Sequence, residues 1–173
     1  MTEAIAMEDT TRLKTRSGLE LEIRPVRRDD GPLLREFFAG VATDDLRFRF
    51  LSGVNSVSDD QIAQMVDVDH KQTEDFLALA DGSLVATGLV ASDSGRNRAE
   101  VAIVVRADHK KRGIGWTLLD HIADYARSIG IKTLESVEDR HNQAAIDVER
   151  DSGFTVKPYG DDPTLVVVSK QLG

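Results

Sequence analysis

The stretch 98–130 constrains this chain more than any other. RAEVAIVVR (98–106) has the composition of a buried strand, and HKKRGIG (109–115) is a basic loop with two glycines. WTLLDHIADYARSIG (116–130) then sets Leu118, Leu119, Ile122, Ala126 and Ile129 on one helical face. A strand that empties through a glycine loop into an amphipathic helix predicts a sheet with a helix packed on it. The start of such a helix presents unpaired N–H groups and about half a positive charge. Gly113 and Gly115 would let a phosphate come close to that backbone. Arg106, Lys110, Lys111 and Arg112 stand there against Asp108 alone, a basic island in a chain of 22 basic and 30 acidic residues and net charge −8.

Two familiar phosphate loops do not fit. A Walker A loop needs GxxxxGK[ST], which is missing. A dinucleotide fingerprint needs GxGxxG after the first strand of a parallel βαβ unit. Here Gly113-Ile114-Gly115 runs into Trp-Thr-Leu, and the strand before it closes an antiparallel meander. A nucleotide-binding domain is therefore the weakest reading. The acidic balance argues against general nucleic-acid or anionic-membrane binding. With no cysteine, disulfides, zinc–thiolate sites and acyl-cysteine intermediates are excluded. His70, His109, His121 and His141 show no metal-ligand spacing, so no metal is expected.

The rest of the 173 residues reads as one domain over 11–173 behind a flexible tail at 1–10. LKTRSGLELEIRPV predicts a hairpin around Ser17-Gly18. Asp29 and Asp30 offer N-caps to a helix with Pro32 in its first turn, Leu33, Leu34, Phe37, Phe38 and Val41 inward, and Gly40 at its end. Residues 43–52 lean to a short helix, although Phe48 and Phe50 alternate as in a strand. Ser58-Asp59-Asp60-Gln61 is a capping box. DFLALA, the Asp81-Gly82 turn, SLVATGLVAS and RAEVAIVVR form the meander. A strand at 131–137, a helix opened by Asn142 and two closing strands complete the chain. The fold class is α/β: a mixed, mostly antiparallel central sheet flanked by helices. No signal peptide and no apolar run of about 20 residues is present, so a cytoplasmic location is expected.

The loop fits V-x-x-x-x-[RQ]-x-x-G-x-[GA], with Val105, Lys110, Gly113 and Gly115 at the fixed positions. This resembles the acyl-CoA pyrophosphate loop of the GNAT superfamily of N-acyltransferases. AEVAIVV, WTLLDHIADYA and the Asn142…Gly153-Phe154 segment extend the resemblance over nearly the whole chain. IRPVRRDD and LRFRF are similar to the GNAT domain of bacterial protein lysine acetyltransferases that modify acyl-CoA synthetases. The resemblance implies acetyl-CoA as cosubstrate, held by Ile103, Val104, Val105, Lys110, Lys111, Arg112, Gly113, Ile114, Gly115 and Asn142. It implies backbone pairing of Ile103–Val105 with the pantetheine arm, commonly beside a β-bulge. Lys110 stands where Arg or Gln is usual, and Lys111 where Gly is frequent. Glu149 takes the place of the Tyr that many members use as general acid, so that acid is not supplied.

Glu100 is the candidate general base. A lysine-type amine has a reference pKa of about 10.4, so a base is useful. Glu100 lies roughly 20 Å from Arg106 at about 3.3 Å per residue, the span of an extended arm along the strand. Glu138 and Glu149 are the other carboxylates to consider. His141 and Tyr159 have minor claims to a chemical role, and Phe37, Phe38, Phe48 and Phe50 fit the core and an acceptor wall. The expected reaction is direct transfer of an acetyl group to a primary amine. The acceptor is a protein lysine, with an acyl-CoA synthetase as the candidate partner, or alternatively a small amine. A CoA-binding sensor without turnover is the competing class. Oligomeric state is not legible.

Overall fold

The computed structural model describes residues 10–50 and 56–173. Apart from Thr10, the segment expected to be a tail lies outside the described residues, as do Leu51 and Ser52 of the expected second helix. The strands are β1 (Thr11–Lys14), β2 (Glu20–Pro25), β3 (Thr73–Ala80), β4 (Ser83–Ser92), β5 (Arg98–Val105), β6 (Thr133–Asp139), β7 (Thr155–Tyr159) and β8 (Asp162–Gln171). The helices are α1 (Gly31–Ala39), α2 (Thr43–Phe50), α3 (Asp59–Val66), α4 (Ile114–Ser128) and α5 (Gln143–Asp151). One eight-stranded sheet runs β1-β2-β3-β4-β5-β6-β8-β7. Every pairing is antiparallel except β5 with β6.

The ambiguous stretch at 43–50 is helical. Asp44 and Asp45 occupy its first turn and Arg47 and Arg49 its last, the order that the helix dipole favours. The capping box before α3 forms in both directions: Ser58 Oγ accepts from the Gln61 amide, and Gln61 Oε1 accepts from the Ser58 amide. Before α1 the expected cap is replaced. Asp30 holds the N-cap position, but its carboxylate takes two hydrogen bonds from Arg24 at 2.8 and 2.9 Å and one from the Arg27 amide at 2.7 Å. It thereby ties β2 to α1 instead of closing the helix.

The sheet separates two apolar layers. Leu118, Leu119 and Ile122 of α4 pack with Ala86, Ala99, Val101 and Leu134 on one face. Leu34 and Phe37 of α1 and Ile62 and Met65 of α3 pack with Leu77 and Val104 on the other. α4 lies very close to β4 at Gly88, where a Cβ would stand 2.5 Å from Ile122 Cδ1. That approach, legible in no local pattern, sets the depth at which α4 crosses the sheet and so the position of its N-terminus.

Candidate active site

β5 and β6 pair only at Arg98↔Thr133, Ala99↔Leu134 and Glu100↔Glu135. Beyond that point they diverge, and β6 goes on pairing with β8 up to Asp139↔Leu165. The inner edge of β5 past Glu100 is left without a strand partner. A cleft of about 500 Å³ opens there, lined by β5, β6, the start of α4, and residues of α2 and α5. Ile103, Val104 and Val105 form one wall, and Ser136, Val137 and Glu138 form the other.

The start of α4 closes one end. Gly113 is the N-cap at φ +79, with no side chain capping the helix. The first intrahelical bond runs from the Thr117 amide to the Gly113 carbonyl, so the amides of Ile114, Gly115 and Trp116 precede the ladder. A Cβ on Gly115 would meet only Val105 Cγ2, at 4.0 Å. Free amides, positive dipole and open space before Gly115 fit a pyrophosphate.

The loop cations divide. Arg106 pairs with Asp108 at 2.7 Å and donates to the Leu84 carbonyl at 3.1 Å, which turns it into the fold. Hydrogen bonds from Arg106 and His109 hold the Asp108 carboxyl below the usual carboxylate range. Lys110 forms an ion pair with Asp45 of α2 across the cleft. Lys111 and Arg112 are exposed and make no ion pair among the described residues. Lys111 adopts φ 61, the left-handed region that favours glycine. The β1–β2 hairpin braces this loop: Ser17 Oγ donates to the Arg112 carbonyl at 2.8 Å, and Arg16 lies 4.0 Å over the Trp116 ring.

Glu100 is at the opposite end, where the strands part. It is exposed and lines the cleft beside Phe48 and Arg49. Arg49 is half-buried, and burial lowers its pKa against the pull of Asp75 and Glu100. Burial pushes Asp75 up to about 7. Asn142 caps α5, accepting from the Ala145 amide at 3.4 Å, and also lines the cleft. Every candidate cofactor residue except Arg112 therefore lines one space with Glu100.

Some expectations move. The bulge implied beside Ile103–Val105 is absent, since the β4–β5 register runs unbroken from Ala86↔Val105 to Ser92↔Ala99. Val104 is buried under α1 and α3 while Ile103 and Val105 pack toward α4, so both layers hold the strand in regular alternation. His141 is exposed and bonded to Asp139, and Tyr159 is 44% exposed; neither lines the cleft. Sequence reasoning missed Asp45, whose partner is set by tertiary contact alone. It also missed the buried grouping of Ser136, Glu138 and Glu149. Among the described residues no group of three or more His, Asp or Glu side chains could hold a metal.

Residues 42–154 match the acetyltransferase (GNAT) family. The chain belongs to the GNAT family. It is an acetyl-CoA-dependent N-acetyltransferase. An acetyltransferase from Pseudomonas aeruginosa is 30% identical over 154 residues, which cover 87% of this chain and 83% of that one. The GNAT domain of PAT from S. lividans is 25% identical, with a TM-score of 0.89 over 95% of this chain and 98% of that domain. Spermidine N-acetyltransferase from Vibrio cholerae, solved with CoA and spermine, shares the GNAT fold at 14% identity. Its TM-score is 0.70 over 88% of this chain and 95% of that one.

Proposed function

We infer that this GNAT chain carries the acetyl group of acetyl-CoA to the side-chain amine of a protein lysine, by direct transfer within the β5–β6 cleft. The observation that carries the reading is the parting of β5 and β6 at Glu100, with the uncapped start of α4 at the far end of the same space. The pyrophosphate is assigned to the amides of Ile114, Gly115 and Trp116, with Lys110, Lys111 and Arg112 supplying positive charge. The pantetheine is assigned to the free edge of Ile103–Val105, with Asn142 across from it. Glu100, exposed where the strands part, takes the proton from the acceptor nitrogen directly or through one water. With no cysteine in the chain, the acetyl group has no thiol to rest on.

The lysine acceptor is favoured by likeness to the S. lividans PAT domain over 95% of this chain. Acidic residues outnumber basic ones, which suits a cationic acceptor. A polyamine remains the alternative, because the spermidine enzyme has the same fold. The test is release of CoA from acetyl-CoA across a panel holding an acyl-CoA synthetase, lysine peptides and spermidine. Transfer to protein lysine is expected to exceed transfer to spermidine, and the reverse order contradicts the acceptor assignment. Glu100→Gln is expected to lower kcat about 10²–10⁴-fold with acetyl-CoA affinity retained and part of the loss recovered at high pH. An unchanged rate and pH profile removes Glu100 from the mechanism.

A further inference from the structure

The β6 wall of the cleft carries a carboxyl pair that acetyl transfer has not yet used. Ser136 and Glu138 share a strand face with Leu134, which is buried in the layer under α4. Glu149 comes from α5 onto that face; it is 5% exposed, lines the cleft, and its Oε1 has no hydrogen-bond partner. Ser136 Oγ donates to Glu138 Oε1 at 2.6 Å, and Asn142 Nδ2 donates to Glu138 Oε2 at 3.3 Å. Both Glu138 oxygens thus serve as acceptors, as suits an ionised carboxylate. Glu149 is less well supplied: its Oε1 has no partner, and its side-chain hydrogen-bond neighbours are Ser136 and the Glu138 carboxyl, which is close enough to share a proton with it. Two adjacent carboxylates cannot both ionise at low cost, so Glu149 is the member that keeps the proton.

We propose that Glu149, seated on Glu138, donates the proton that the coenzyme A sulfur takes up as the acetyl group leaves. This rests on the acetyl-transfer reading of the cleft. Glu100 sits at the point where β5 and β6 part, on the sheet face that α1 and α3 cover. Ser136 and Glu138 begin one residue past the same point, on the opposite face. They lie within about 10 Å along β6 at roughly 3.3 Å per residue. A thioester held in the gap is therefore met by a base from one face and an acid from the other. The nitrogen lone pair forms the C–N bond, and the C–S bond breaks with its electron pair going to sulfur. Glu149 protonates that sulfur, Glu100 removes the surplus proton from nitrogen, and solvent carries a proton from Glu100 back to the pair. The products are the amide and CoA thiol.

The surroundings agree. Ser136 and Asp139 act on the pair from β6 and Asn142, the cap of α5, acts on Glu138. Burial, followed by the Glu138 charge, pushes Glu149 up to about 9, and burial also raises Glu138. A donor in that range is well matched to a thiol, whose reference pKa is about 8.5 for cysteine.

The decisive comparison is between acetyl-CoA and an acetyl thioester of p-nitrothiophenol, whose thiolate leaves without a proton. Glu149→Gln is expected to lower kcat with acetyl-CoA about 10²–10³-fold, to leave CoA affinity unchanged, and to abolish the alkaline limb of the kcat profile. Its rate with the aryl thioester should match wild type. Glu138→Gln removes the neighbouring charge, so the alkaline limb should move to lower pH. Equal losses on both thioesters, or an alkaline limb unmoved in both variants, overturn the proposal. Failure of the wild type to release CoA with any amine would instead overturn the acetyl-transfer reading on which it rests.

Discussion

Lys111 occupies a backbone position that favours glycine, and the proposed cofactor site asks its charge to meet a phosphate. At φ 61 its backbone is strained, by about 1 kcal/mol for a non-glycine residue in the left-handed region. Lys111→Gly should therefore raise stability by about 0.5–1 kcal/mol in urea unfolding while weakening acetyl-CoA binding in calorimetry. A gain in both would show that the side chain has no part in phosphate contact. Glu149 gives a second residue-scale expectation. Its folded pKa lies above the ordinary 4.5, so the folded state holds the proton more tightly and stability declines as pH rises from about 4.5 toward 9. Glu149→Gln removes that slope. Unfolding curves should coincide with wild type near pH 4.5 and show the variant more stable by about 1–3 kcal/mol at pH 7. A variant less stable at both pH values would mean that Glu149 is not held protonated in the fold.

At the scale of elements, the position of the site follows from where α4 starts, and that follows from how it lies on the sheet. Gly88 has no room for a methyl group beneath Ile122 and Leu118. Gly88→Ala is expected to reduce stability by about 1–3 kcal/mol through overpacking. An unchanged urea midpoint would show that α4 shifts freely. The sequence displayed local elements well, because capping residues, turn dipeptides and apolar spacing act over a few positions. Ser58 with Gln61, Asp81-Gly82 and the Gly113 loop are of this kind. It did not display β8 lying between β6 and β7, nor Asp30 turned to Arg24, since both arise from contacts distant along the chain. The basic island was legible as charge but not as geometry: Asp45 takes Lys110 and Asp108 takes Arg106. Glu138 and Glu149 were visible as letters, but burial, which gives the pair its chemistry, is a property of the fold.

For the whole molecule, the proposed binding of a negative cofactor by a negative chain rests on two exposed cations without an ion pair, Lys111 and Arg112, set beside a helix start. The attraction is screened over about 10 Å at 0.1 M salt, so acetyl-CoA affinity should fall with ionic strength. Among the described residues no helix is long and apolar enough to cross a membrane. The whole reading depends on acetyl-CoA occupying the cleft between β5 and β6. Gly113 is a poor place to probe this, because φ +79 strains any replacement. Gly115 is better, since it lines the cleft and a Cβ there would meet only Val105, at 4.0 Å. The measurement is calorimetric titration of acetyl-CoA into wild type and Gly115→Val, with Trp116 fluorescence as a second reporter on the same samples. Wild type is expected to bind one equivalent, and the variant, folded and with an unchanged urea midpoint, to bind at least about 100-fold more weakly. Equal affinity in a folded Gly115→Val chain would contradict the assignment of the cofactor to this cleft.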